Sequence, residues 1–164
     1  MANRPRSKNR VSDYSPKDDG ITHVNIYSVS MCSLGKMLSN FYPASIEHPV
    51  YGFFANVEAF WHFASTGFKH QQLRTMAGYL VKATAKGMPK IHVDNFLGLI
   101  KDAIRLKLEQ HPEILEPFLS NQLPLDHYYV FRKGIDLIQN RPHGADELIE
   151  IYEELKQEFE ERSS

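Results

Sequence analysis

The chain has 164 residues, 42% of them hydrophobic, which is enough for one domain with a single core. Its 20 acidic side chains nearly balance 19 basic ones, and a net charge of −1 excludes any global pull toward nucleic acid or an anionic membrane. A single cysteine, Cys32, excludes an intramolecular disulfide and a thiolate metal cluster within one chain, and reads as a small semi-buried filler.

Residues 1–20 read as a disordered basic tail, in which Arg4, Arg6, Lys8 and Arg10 alternate with Asn, Pro and Ser; residues 21–164 read as the folded domain. The tail is open to two readings, a solubilising leader or a basic arm that touches phosphate. MANRPRSKNR lacks the apolar core of a secretory signal, and no apolar run reaches membrane-span length. The expectation is a cytoplasmic protein with no membrane partner.

His23–Ser28 alternates apolar and polar residues, as a half-buried strand does. A loop follows over Met31–Pro43. Tyr51–Phe54 is a short apolar strand, preceded by His48-Pro49, which favours extended chain. Asn56 is a suitable N-cap for a helix from Val57 to about Thr66, ended by Gly67. A second helix is predicted over His70–Lys86, stopped by Gly87 and Pro89. Asp94 caps a third, running to about Gln110, with Phe96, Leu99, Ile100, Ala103, Ile104 and Leu108 on one face. Pro112 suits the first turn of a fourth, ending near Asn121. His127–Phe131 is a further strand. The last helix spans Ala145–Glu161, with an apolar stripe of Leu148, Ile151, Tyr152, Leu155 and Phe159 and a solvated face of glutamates. No internal repeat is visible. The sum is a compact, mostly helical α+β domain with a few short strands.

Several chemical signatures are absent: no Gly-rich phosphate loop, no HExxH, no CxxC and no GxSxG. Eight histidines are scattered rather than spaced as ligands, so no metal or cofactor is expected; His62 and His127 read as packing or surface residues. The informative stretch is Leu38-Ser39-Asn40-Phe41-Tyr42-Pro43, followed by Val57-Glu58-Ala59-Phe60-Trp61. Asn40 offers a donor and an acceptor to a base or ribose, and Phe41 and Tyr42 offer rings for stacking. An Asn-stabilised turn with aromatics plugging the core explains the same residues. Glu58 falls in the first turn of its helix, which favours the anion, among apolar neighbours that penalise it. That tension suits an acid/base group, and a surface glutamate stabilising a helix start also fits.

Four stretches in order, LSNFYP, NVEAFW, Lys82-Ala83-Thr84-Ala85-Lys86-Gly87 and the segment Ala103–Pro112 (AIRLKLEQHP), resemble the NADAR family, also called YbiA-like. The resemblance covers about Ile26 to Phe131, and HYYVF resembles versions carried by bacteriophages. It implies a compact, mostly helical α+β fold and an N-glycosidase that needs no metal. Some members remove ADP-ribose from guanine in DNA, reversing a toxin's modification; others act on phosphoribosylamino-pyrimidine intermediates of riboflavin synthesis. The resemblance therefore implies an ADP-ribosyl glycohydrolase whose partner is an ADP-ribose-containing ligand, such as ADP-ribosylated DNA. The riboflavin-type substrate, or a non-catalytic ADP-ribose-binding module, are the alternatives.

The family's essential glutamate falls on Glu58, and its asparagine on Asn40, between Ser39 and Phe41. Two family features are missing. No tryptophan precedes the third helix, where His92-Val93-Asp94-Asn95-Phe96 stands, and Asp126-His127-Tyr128-Tyr129 occupies the place of an aspartate plus W-G motif. Trp61 or Tyr128 is then the expected clamp on the ligand, Tyr129 being a further choice. Lys82 and Lys86 are expected to meet phosphate, or are solvated helix lysines. Cleavage of a ribosyl C1′–N bond develops oxocarbenium charge, for which Glu58 either activates water or attacks covalently. Asp126 or a water protonates the leaving base.

Overall fold

The computed structural model describes residues 11–164. Arg4, Arg6, Lys8 and Arg10 lie outside the described residues. The order is β1 (Val24–Asn25), α1 (Ser33–Leu38), β2 (Ile46–His48), β3 (Gly52–Phe54), α2 (Val57–Ser65), α3 (Gly78–Ala85), α4 (Phe96–Gln110), α5 (Pro112–Ser120), β4 (Leu125–Asp126), β5 (Tyr129–Lys133), β6 (Asp136–Asn140) and α6 (Ala145–Arg162), with 3-10 turns at Pro16–Asp18 and Gln71–Thr75. The strands form three two-stranded sheets: β1 parallel to β4, and the hairpins β2–β3 and β5–β6. Among the described residues, no helix is long and apolar enough to cross a membrane. The α+β class expected from the sequence is the one found.

Helix α2 is the centre of the core. The Asn56 Oδ1 accepts from the Ala59 N–H at 2.8 Å, so one of the unpaired N–H groups of the helix start is satisfied. Val57, Ala59, Phe60, Phe63 and Ala64 are buried, leaving the helix almost no solvent face. It stops in a Schellman turn: Phe68 N–H reaches Phe63 O at 2.9 Å and Gly67 N–H reaches Ala64 O at 3.2 Å. Gly67 has φ 99°, a conformation glycine adopts without strain.

The helix predicted over His70–Lys86 divides in two. Arg74 is the cause: its guanidinium stacks over Phe54 and Phe63 and donates to the Tyr51 and Phe53 carbonyls, while its own carbonyl takes the Ala55 N–H. Asn56 Nδ2 captures the Met76 carbonyl. These tertiary partners outbid the i→i−4 ladder over residues 74–76. The strand predicted at His23–Ser28 shrinks to Val24–Asn25, because Asn25 continues the pairing with its side chain, which bonds both the Tyr128 N–H and carbonyl at 2.9 Å. Ser33–Leu38, read as loop, is a short helix, and Asn95 rather than Asp94 precedes α4.

Residues 11–20, read as part of the tail, pack against the domain: Ser12 and Asp19 are buried, and Asp19 accepts from Asn25 N–H and Ser30 Oγ. The acidic face of α6 is not wholly solvated either. Glu154 pairs with Lys101 and Glu158 with Arg105, which ties α6 to α4.

Candidate active site

Where α1 ends, the chain turns sharply and lays its backbone across the start of α2. Ser39 Oγ accepts from Phe41 N–H at 3.2 Å, and Ser39 O from Tyr42 N–H at 3.1 Å, which closes the turn. The Asn40 carbonyl then accepts the Glu58 N–H at 3.0 Å. A helix-start N–H that needs a partner is therefore what joins the two residues.

The turn is held from behind by two buried donors. Lys107 Nζ donates to the Ser39 carbonyl at 2.9 Å, and Tyr152 Oη to the Leu38 carbonyl at 2.5 Å. Lys107 is 0% exposed, and burial alone pulls its pKa down to about 7. From the side, α3 approaches so closely that a Cβ on Gly78 would lie 2.8 Å from the Phe41 Cα.

Glu58 and Asn40 face one open cleft, whose other walls include Ser39, Phe41, Lys82, His127 and Tyr129. The Glu58 side chain is 12% exposed, and its Oε1 pairs with His62 Nε2 at 2.9 Å, one helical turn on. Among the described residues, His62 Nδ1 is buried without a partner, as is Asn40 Oδ1. A bare imidazole lone pair costs less than an orphaned N–H, so Nε2 carries the proton and donates to Glu58. Among the described residues Oε2 makes no hydrogen bond, and is the oxygen free for chemistry.

His127 Nδ1 donates to the Ile26 carbonyl, leaving Nε2 as the free ring atom, and burial lowers its pKa. Tyr129 stands edge-on to His127, with ring centroids 5.6 Å apart; burial, then the nearby Glu58 charge, raises its pKa and keeps the hydroxyl a donor. Lys82 Nζ lies over both cleft rings, 5.8 Å from Phe41 and 5.6 Å from Tyr129. Among the described residues no group of three or more His, Cys, Asp or Glu is placed to hold a metal ion.

Six residues singled out in the sequence thus meet in the cleft: Ser39, Asn40, Phe41, Glu58, Lys82 and Tyr129. Four do not. Trp61 packs edge-on against Phe96, centroids 5.0 Å apart, in the α2–α4 interface. Lys86 is exposed at the end of α3 and lines no part of the cleft. Tyr128 is fully buried, its hydroxyl bonded to His23 Nε2. Asp126 is buried and spent on Arg141 at 3.0 Å, Ser12 Oγ and the His127 N–H. The reason is parity: side chains alternate along an extended chain, so Asp126 and Tyr128 point inward while His127 and Tyr129 face the cleft. The roles expected for Asp126 and Tyr128 therefore have no access to a ligand there. His62 and Lys107 were missed for their function. The i,i+4 spacing of Glu58 and His62 was the available signal for the first, and a lone lysine on the apolar face of α4 for the second.

No family model matches the chain, and no curated protein matches it. Among solved structures, the NMR structure of the E. coli protein YbiA is similar, with a TM-score of 0.64 over 87% of this chain and 91% of that one, at 16% sequence identity. The likeness is one of fold: this chain has a YbiA-like α+β architecture.

Proposed function

We propose that this protein hydrolyses N-glycosyl bonds, and that its substrate is an ADP-ribosyl group on a nucleobase, guanine in DNA first. The observation that carries the reading is Glu58: one carboxylate oxygen is tied to His62, the other is free in a cleft that also holds an unpaired Asn40 carboxamide oxygen. The YbiA-like fold agrees with the NADAR resemblance of the four sequence motifs.

Cleaving C1′–N leaves positive charge on the sugar ring. Glu58 Oε2 stabilises that charge and takes a proton from the attacking water, whose oxygen bonds to C1′. The electron pair of the broken bond leaves with the base, whose nitrogen takes a proton from solvent. Among the described residues Asn40 Oδ1 lacks a donor, which a ribose hydroxyl or an exocyclic amino group supplies. Phe41 and Tyr129 flank the base or sugar, and Lys82 meets phosphate as a point charge. His127, neutral because it is buried, accepts a hydrogen bond through Nε2.

The test is a substrate panel read by mass spectrometry: ADP-ribosyl-guanine DNA, ADP-ribosyl-thymine DNA, and phosphoribosylamino-pyrimidines. Release of free ADP-ribose from the guanine substrate supports the reading. Release only from the pyrimidines keeps the reaction and replaces the substrate. Ligand-induced thermal stabilisation without any release from any member overturns hydrolysis and leaves a binding module.

A further inference from the structure

We propose that the β5–β6 hairpin is a stacking platform for single-stranded nucleic acid, which delivers the scissile base to the cleft as part of a polynucleotide. The inference rests on the glycosidase reading for the cleft, and on independent observations for the hairpin.

Among the described residues, the hairpin is fixed at its base. Gln139 is clasped there by Ser12 N–H and by the Tyr14 carbonyl, both at 2.7 Å, and Tyr27 Oη reaches the Val130 carbonyl. Beyond that, every residue from Phe131 to Leu137 is exposed. Phe131 is 51% exposed, Leu137 46%, and Ile135, at the tip, 95%. Isolated two-stranded hairpins are marginal, and these apolar groups bury too little to support one. Their placement outside the core is unexplained by the stability of the domain.

Register explains what they form. The pairs Tyr129↔Asn140, Phe131↔Ile138 and Lys133↔Asp136 put Tyr129, Phe131 and Lys133 on one face, spaced by roughly 6.6–6.8 Å. Tyr129 is already a wall of the cleft, with Lys82 over its ring. The stripe therefore runs continuously from the cleft outward: cation, aromatic, aromatic, cation. Arg132 adds a positive charge on the opposite face, and Asp136 is the one acidic residue of the two strands. With Asp136 opposite Lys133, the two strands carry a net charge of +1 in a chain whose net charge is −1.

Rings interleaved with cations are what unpaired bases on a phosphate backbone require. A glycosidase cleft likewise needs its base out of the duplex stack. The apolar Ile135 at the tip suits contact with a base face, or a wedge between steps.

The experiment is fluorescence anisotropy with a fluorescein-labelled, mixed-sequence, unmodified single-stranded 12-mer DNA, at 50 and 200 mM salt. The wild-type protein is expected to bind. With Lys82 and Lys133 each meeting a phosphate, affinity should fall about 7-fold between the two salts. The double variant F131A/K133A should weaken binding at least tenfold at 50 mM, with its circular dichroism spectrum and melting midpoint recorded to show that it folds. Absence of wild-type binding overturns the proposal. So does binding that F131A/K133A leaves unchanged, and so does a wild-type dimer in light scattering that F131A/K133A converts to monomer without changing oligonucleotide affinity. The probe needs no chemistry, so the two readings fail separately: no wild-type binding with wild-type turnover present sinks the platform alone, and no wild-type turnover with wild-type binding present sinks the glycosidase alone.

Discussion

Lys107 is a buried lysine placed to hold the Ser39 turn beside the cleft, and both its burial and its hold are measurable in Lys107→Met. Its folded pKa, about 7, lies below the unfolded value of 10.5. Between those values the unfolded chain binds more protons than the folded one, so stability rises with pH across that window. From pH 7 to pH 9 the gain from this group is about 2 kcal/mol, a large fraction of the stability of a small domain. Methionine nearly matches the lysine stem and cannot titrate. It also removes the donor to the Ser39 carbonyl, which costs about 1–3 kcal/mol if that oxygen is left unpaired. The assay is urea unfolding of both proteins at pH 7 and pH 9. The stability difference, wild type minus variant, is expected to rise by about 2 kcal/mol over that interval. Groups that titrate in both proteins cancel in the difference. At pH 7 the variant loses the cost of the buried charge, so it should be as stable as wild type or more so, while kcat falls because the Asn40 turn is no longer held. Equal pH slopes in the two proteins would show that Lys107 keeps its proton in the fold up to pH 9, and would refute the claim that burial lowers its pKa. Unchanged kcat would refute its hold on the turn.

Three further substitutions separate the cleft from its surroundings. Asp126→Asn should cost about 1–3 kcal/mol in urea unfolding, because it weakens the Arg141 and Ser12 bonds, and change kcat less than about threefold. A hundredfold loss of kcat with stability retained would return Asp126 to the chemistry. His62→Leu should lower kcat at least tenfold by freeing the Glu58 carboxylate, whereas His62→Gln, which keeps an N–H donor, should retain most of it; equal rates in both would show that the donated hydrogen bond is not what matters. Gly78→Ala places a methyl group 2.8–2.9 Å from Phe41 atoms. It should cost about 1–3 kcal/mol and raise KM through the displaced turn, so an unchanged melting midpoint would contradict the close approach.

The long helices were legible because their apolar periodicity is strong: α4 buries Ile100, Ala103, Ile104 and Leu108 as their spacing requires. Asn56 was legible as a cap because its type and its position before an apolar run are local facts. What failed was set by partners distant in sequence. Arg74 breaks the 70–86 helix by stacking on Phe54 and Phe63, and nothing within that segment records it. The choice between Tyr128 and Tyr129 stayed open, since a two-residue period has two phases and only packing against β1 selects the one that turns Asp126 and Tyr128 inward. The β6 strand escaped notice because its partner face is exposed, leaving no alternation to read. Asn40 and Glu58, which line one cleft, were singled out through motif order, whereas Lys107 looked like one more residue of an amphipathic helix. Only the fold shows that it reaches Ser39 across 68 positions of chain.

The most direct test of the central claim is single turnover of ADP-ribosyl-guanine DNA in ¹⁸O-labelled water, comparing wild type with Glu58→Gln. The released sugar should carry one ¹⁸O at C1′ with wild type, and the variant should release it at least a hundredfold more slowly while binding ADP-ribose as tightly. Release by the variant at the wild-type rate would contradict the assignment of Glu58 as the catalytic carboxylate.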